Sequence, residues 1–324
     1  MLSLEQILQR IESEIARLQY IREPQSLYDP IKYILSLGGK RIRPALALIA
    51  CNIYSESIES AIKPALGLEV FHNFTLLHDD LMDNADKRRG KPTAHKVWNA
   101  NSAILSGDAM LILAYKLIEE TESQKLKEIL NIFSQTSLEI CEGQQYDMEF
   151  ESRLDVSEAE YLEMIRLKTA VLLACSLKTG AILGGAPEND ANHLYEFGIN
   201  IGLMFQLKDD LLDVYGNTNS FGKNIGGDIA CNKKTFLLIN ALRLANKEQS
   251  HILNEWLNKK EYDTAEKIAV ISQIYDELNL KHLTEKKMEK YYQTAFLHLD
   301  KLNVTHEKTE LLQSVCNQLI YRNV

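Results

Sequence analysis

The chain has 324 residues, 45% hydrophobic and 25% charged, with a formal net charge of −9; this length allows a large buried core, in one big domain or two, and the acidic balance excludes non-specific nucleic-acid binding. Fifteen Gly and six Pro are about half the usual share of turn formers, which favours long helices. The five cysteines, Cys51, Cys141, Cys175, Cys231 and Cys316, are scattered without metal-ligand spacing and read as reduced thiols.

The first predicted element is SLEQILQRIESEIARL, with apolar residues at Leu4, Ile7, Leu8, Ile11, Ile15 and Leu18, a helical stripe. Ser3 is its expected cap, with Gln6 three residues on. Its glutamates and lack of a basic start set it apart from a signal peptide. No apolar run reaches the roughly 18 residues of a membrane helix, so the expectation is a cytoplasmic protein without a membrane span. SLGGKRIRP (36–44) is the first polar interruption, and an apolar run then leads into LLHDDLMDNADKRRGKPT (76–93). Helical periodicity resumes over 101–122, 123–150, 157–182 and 190–213, broken by RRGKPT (88–93), LGGAPEND (183–190) and YGNTNSFGKNIGGD (215–228). None of these is long enough for an interdomain linker, and strand-like alternation is scarce. The expectation is one all-α domain over 1–324, with helices around a common core.

Asp79, Asp80 and Asp83 close the apolar run. On a helix Asp79 and Asp83 are i and i+4 and share a face with Asp80 beside them, so the three charges repel. Either water solvates them fully or a cation sits among them. Carboxylates with open water positions suit magnesium, which takes few protein ligands and several waters or phosphates. The pattern returns 130 residues later in GLMFQLKDDLLD, with Asp209, Asp210 and Asp213. Two such clusters could hold magnesium ions that bind a diphosphate and stabilise it as a leaving group. Basic residues accompany them: Lys40, Arg41 and Arg43 beside Gly38–Gly39, then Arg88 and Arg89, then Lys168, Lys223 and Lys233. Arginine grips phosphate bidentately and lysine adds a point charge. His72 lies seven residues before Asp79, two turns away on nearly the same face.

The ordered set GGKRIRP, LLHDDLMD…RRGKPT, EGQQYD, LKTA, GLMFQLKDDLLD and GKNIGGDI resembles the trans-isoprenyl diphosphate synthases, the polyprenyl synthetase family, over essentially the full length. The resemblance implies the isoprenoid synthase fold, a helical bundle around a central elongation cavity. It implies head-to-tail condensation of isopentenyl diphosphate with an allylic diphosphate, in a homodimer that uses magnesium, with manganese able to substitute. Asp79 and Asp83 would hold magnesium from one side and Asp209 from the other, with Asp80, Asp210 and Asp213 assisting through hydrogen bonds and waters. Arg88, Lys168 and Lys223 would bind the allylic diphosphate, with Lys233 nearby. Lys40, Arg43, His72 and Arg89 would bind isopentenyl diphosphate. Gln206 and Thr169 would line the space where the allylic cation forms.

In this family an aromatic residue five positions before the first aspartate tends to stop elongation. That position is Phe74, about 7.5 Å down the helix axis from Asp79, with Thr75 beside it and Phe71 one turn further. The set resembles enzymes that make twenty-carbon geranylgeranyl diphosphate, with fifteen-carbon farnesyl diphosphate the close alternative. A class I terpene cyclase would need no second-substrate site, against GGKRIRP and Arg88–Arg89. A non-catalytic subunit would typically have lost aspartates that are intact here. The C-terminal LIYRNV carries Arg322, where some relatives have a basic tail that closes over isopentenyl diphosphate.

Overall fold

The computed structural model describes residues 2–18, 22–216 and 225–320, with backbone alone for 319–320. In chain order these form α1 (Leu4–Arg17), α2 (Gln25–Ser36), α3 (Ile42–Tyr54), α4 (Glu59–Met82), a hairpin of β1 (Lys87–Arg88) and β2 (Lys91–Pro92), α5 (Ala94–Val97), α6 (Ala100–Ile118), α7 (Ser123–Glu151), α8 (Glu158–Ile165), a π-helical turn (Arg166–Ala170), α9 (Val171–Gly184), α10 (Glu188–Tyr215), α11 (Gly227–Ala230), α12 (Phe236–Leu244), α13 (Lys247–Asn258), α14 (Thr264–Glu277), α15 (Leu280–Leu299) and α16 (His306–Ile320). The class is all-α as expected, with the two-residue strands as the one departure among the described residues. The chain divides into two compact units, one from 1–134, 175–195 and 303–313, the other from 135–174, 196–302 and 314–324.

In the first unit α1 follows its stripe, with Ile7 and Ile11 buried. Ser3 Oγ accepts from Gln6 N at 3.2 Å while Gln6 Oε1 accepts from Ser3 N at 2.9 Å. This reciprocal cap satisfies two orphan N–H groups and is worth about 1 kcal/mol. α3 is different: every residue from Pro44 to Ile53 is buried, as a helix that is apolar all round must be. α4 packs most extensively against α6 and buries Leu66, Leu68, Val70, Phe71 and Leu77. Each such side chain contributes roughly 1.5–3 kcal/mol. The apolar run before the first acidic cluster therefore anchors that cluster to the core.

In the second unit α8 starts with another reciprocal cap, Ser157 with Glu160, and buries Tyr161, Met164 and Ile165. The helix expected over 157–182 is interrupted by the π-helical turn at 166–170, a feature often found at functional sites. Lys267 of α14 is fully buried; its Nζ donates to Ala230 O at 3.0 Å and Asn232 Oδ1 at 2.6 Å, which ties α11 to α14.

All five cysteines are free thiols. Contrary to the expectation from the sequence, two helical stretches, Ala100–Ile118 and Glu158–Gly184, are long and apolar enough on average to cross a membrane. Polar residues interrupt both, so neither forms a continuous apolar run in the sequence. In the second, 78% of the most apolar window is buried, as in a core helix; in the first, 39% is, and Ile104, Leu105 and Ile112 are exposed.

Candidate active site

The first acidic cluster sits at the end of α4, with Asp83 as its C-cap. Asp80 is 1% exposed, and its Oδ1 accepts from Arg88 Nε at 2.9 Å and Nη2 at 2.5 Å. Asp80 Oδ2 is buried without a hydrogen-bond partner. Arg88 reaches it from the hairpin, whose register pairs Lys87 with Pro92 and Arg88 with Lys91. Arg89 and Gly90 form the two-residue turn, both left-handed at φ 51° and 75°, as a type I′ hairpin requires. Arg89 donates through Nη1 to Gly38 O. Its guanidinium lies where a side chain at Gly39 would stand, 2.9–3.1 Å from an added Cβ.

The loop before α3 separates the arginines of GGKRIRP. Arg41 adopts a left-handed conformation at φ 48°, which costs a non-glycine residue about 1–2 kcal/mol. Its guanidinium turns inward and donates to Glu12 Oε1 and Glu69 Oε1, both at 2.8 Å, and to Leu35 O at 2.9 Å. Arg41 is thus withdrawn from the basic group that the sequence offered for phosphate. Arg43 Nη1 meets His72 Nε2 at 3.0 Å, and Lys40 is exposed on the same loop. Burial lowers the pKa of Arg43 to about 10, with Arg89 adding to the effect and Glu69 opposing it. Burial, then Arg43, Arg89, Arg88 and Arg41, hold His72 well below its usual pKa, so it is neutral. Clustered guanidiniums of depressed pKa beside a neutral histidine make a site that favours an anion.

In the second unit Asp210 is 3% exposed. Its Oδ2 accepts from Tyr161 Oη and its Oδ1 from Gln206 Nε2 at 3.1 Å. Gln206 Oε1 accepts in turn from Thr169 Oγ1 at 3.3 Å. Burial raises the pKa of Asp210 to about 7; the hydrogen bond from Tyr161 opposes this and Asp228 adds to it. Asp213 Oδ2 accepts from Asp228 N at 2.9 Å and so holds the start of α11. Lys168, in the π-helical turn, pairs with Asp147 at 2.6 Å. An added Cβ at Gly143 of α7 would lie 2.4 Å from Lys168 N, so only glycine permits that approach. Lys233 is exposed, with its backbone N bonded to Asp228 O. Lys223 and Arg322 lie outside the described residues.

The structure thus joins Arg88 to Asp80, Arg43 to His72, Arg89 to the Gly38–Gly39 loop, and Thr169 through Gln206 to Asp210. The roles of Tyr161, Asp147, Asp228, Glu12 and Glu69 were missed. Asp147 and Asp228 sit inside quoted motifs, EGQQYD and GKNIGGDI, which was the available signal. Tyr161 carried none.

The expected chain-length residues form an aromatic group. The Phe71 ring, buried, lies 5.4 Å from Phe74 and 5.1 Å from Phe133; Phe74 is 4.8 Å from His78. Phe74 is only partly buried, and Thr75 Oγ1 bonds back to His72 O at 2.8 Å.

Among the described residues no three His, Cys, Asp or Glu side chains converge as an all-protein metal site. The residues do fit magnesium, which keeps waters and phosphate oxygens and takes one or two carboxylates. Asp80 Oδ2, buried and without a partner, is an acceptor of the right hardness beside Asp79 and Asp83.

Residues 24–277 match the family model described as Polyprenyl synthetase. A short chain isoprenyl diphosphate synthase of Methanocaldococcus jannaschii is 41% identical over 255 residues, 78% of this chain and 77% of that protein. A geranylgeranyl diphosphate synthase of Methanosarcina mazei is 40% identical over 233 residues, 71% of this chain and 72% of that one. Among solved structures, a geranylgeranyl pyrophosphate synthase superposes with a TM-score of 0.93 at 42% identity, over the whole of both chains.

Proposed function

The chain belongs to the polyprenyl synthetase family and is an enzyme of the isoprenyl diphosphate synthase type; from that premise we propose that it condenses isopentenyl diphosphate with allylic diphosphates, with magnesium, to give geranylgeranyl diphosphate. Farnesyl diphosphate is the shorter alternative. The observation that carries the reading is the arginine group around neutral His72, beside a carboxylate cluster on the same unit. One face of such a group suits a diphosphate and the other a hard cation.

Lys40, Arg43, His72 and Arg89 bind isopentenyl diphosphate. His72 Nε2 accepts from Arg43, which leaves Nδ1–H to donate. Arg88, Lys168, Lys223 and Lys233 bind the allylic diphosphate. Asp79, Asp83 and Asp209 would hold the metal, with Asp80, Asp210 and Asp213 assisting through hydrogen bonds and waters. Bound magnesium, or manganese in its place, supplies Lewis-acid stabilisation of the leaving diphosphate. As the allylic C–O bond breaks, the arginines and lysines spread the charge gained by the leaving oxygen. Gln206 and Thr169 line the space of the allylic cation. The isopentenyl double bond attacks that cation, a C–C bond forms, and a proton passes to the departed diphosphate. The chain then lengthens toward the aromatic group of Phe71 and Phe74.

The reading includes one catalytic domain over 1–324, acting as a cytoplasmic homodimer; size-exclusion chromatography tests the assembly. The decisive experiment is incubation of the purified chain with labelled isopentenyl diphosphate and each allylic primer, followed by product chain-length analysis. No incorporation with any primer would overturn the synthase reading, and a product beyond twenty carbons the assigned length.

A further inference from the structure

We propose that Arg41 is the positioning residue of the Gly38–Arg43 loop, and that the N-terminal helix α1 sets the affinity for isopentenyl diphosphate through Glu12. The inference rests on reading that loop as the isopentenyl diphosphate site. Arg41 is 4% exposed, and each of its three guanidinium nitrogens donates to a different element: Nε to Glu12 of α1, Nη1 to Glu69 of α4, Nη2 to the carbonyl of Leu35 in α2. Glu69 is itself 2% exposed and held by Asn73 Nδ2 at 3.1 Å. One buried side chain therefore fastens the loop to three helices. Its sequence neighbour Lys40 and, two residues on, Arg43 are the groups left to face an anion. Arg43 then meets His72, three residues along α4 from Glu69.

Of the three attachments only Glu12 is half-exposed, with 53% of its side chain accessible. It belongs to a helix that contributes no substrate ligand, and it can be changed without burying an orphan carboxylate. A positional role and a purely electrostatic one differ in sign. Removing a negative charge near the arginines strengthens their field, so electrostatics alone would tighten anion binding. Loss of position weakens it. Glutamine keeps the acceptor oxygen for Arg41 Nε and loses the charge, whereas alanine loses both.

The test is titration calorimetry of isopentenyl diphosphate on the full chain, with steady-state kinetics for both substrates, in wild type, Glu12→Ala and Glu12→Gln. The expected result is isopentenyl diphosphate affinity weakened about fivefold to tenfold in Glu12→Ala and restored to within about twofold in Glu12→Gln, with kcat and the allylic KM within about twofold throughout. Unchanged or tighter binding in Glu12→Ala would overturn the proposal, as would equal losses for both substrates. A chain that binds isopentenyl diphosphate, more weakly in Glu12→Ala, yet forms no product would overturn the synthase reading and support this one.

Discussion

Arg43 Nη1 lies 3.0 Å from His72 Nε2, and that contact fixes both the tautomer and the charge of the histidine. A guanidinium can only donate, so Nε2 accepts and the proton resides on Nδ1. A charged imidazole there would face Arg43, Arg89, Arg88 and Arg41 at once.

The pH consequence has a defined sign. The folded pKa of His72 lies well below its ordinary 6.5, so between those two values the unfolded chain binds more protons than the folded one. Stability from this group is complete above about pH 6.5 and is lost as the pH falls toward the folded value. Asp210, raised to about 7, works in the opposite sense, losing stability as pH rises from the ordinary carboxylate range. The informative quantity is therefore the difference between wild type and His72→Gln in denaturant unfolding at pH 5 to 8. Wild type should lose stability relative to His72→Gln as pH falls; a flat difference would show that His72 is not held neutral.

Arg88 should separate stability from activity. Arg88→Ala leaves Asp80 buried without its cation and should cost about 1–3 kcal/mol, less than a fully buried pair because Arg88 is partly exposed. Arg88→Ala/Asp80→Asn should recover much of that stability and none of the activity. In kinetics with both substrates varied, Arg88→Ala should raise the allylic KM more, and Arg43→Ala the isopentenyl diphosphate KM more. Equal losses for both substrates in both variants would dissolve the two-site assignment.

Magnesium dependence is expected to be absolute, with excess chelator abolishing turnover. Asp79→Asn and Asp209→Asn should each lower kcat by about 10²-fold or more, the scale of removing one group that stabilises developing charge. Full activity in chelator would exclude the metal role of both clusters.

Phe71 and Phe74 should respond differently to truncation. Phe71 is 1% exposed against Phe133, so Phe71→Ala should cost roughly 3–5 kcal/mol. Phe74 is only partly buried, so Phe74→Ala should cost less than a core phenylalanine while releasing longer products. Product analysis by chain length decides it. An unchanged product with lowered stability would make Phe74 a packing residue and assign the stop elsewhere.

Much of the helical frame was legible because 3.6-residue periodicity is strong in long amphipathic segments; the expected 123–150 became 123–151. The π-helical turn around Lys168 was not, since one extra residue per turn barely disturbs that periodicity over a short span. The two arginines of GGKRIRP look alike in sequence. Only the left-handed backbone at Arg41 and the partners it finds, 29 residues back on α1 and 28 ahead on α4, divide them into one structural and one anion-facing residue. Tyr161 and Asp210 meet across 49 residues, and no local pattern encodes such a pairing. The hairpin at 87–92 is too short to show alternation, although Arg89–Gly90 supplied its turn.

That hairpin sends adjacent arginines to different duties: Arg88, in the strand, goes to the carboxylate of Asp80, and Arg89, at the left-handed turn, goes to the Gly38 carbonyl. Arg88 reaches its partner from a strand position and Arg89 from the turn, so a shift of one position takes each out of the backbone setting that aims it. Inserting one uncharged residue between Asp86 and Arg88 would keep every charge in the segment and still move each arginine away from its partner. Along this stretch, spacing rather than composition is what cannot be altered.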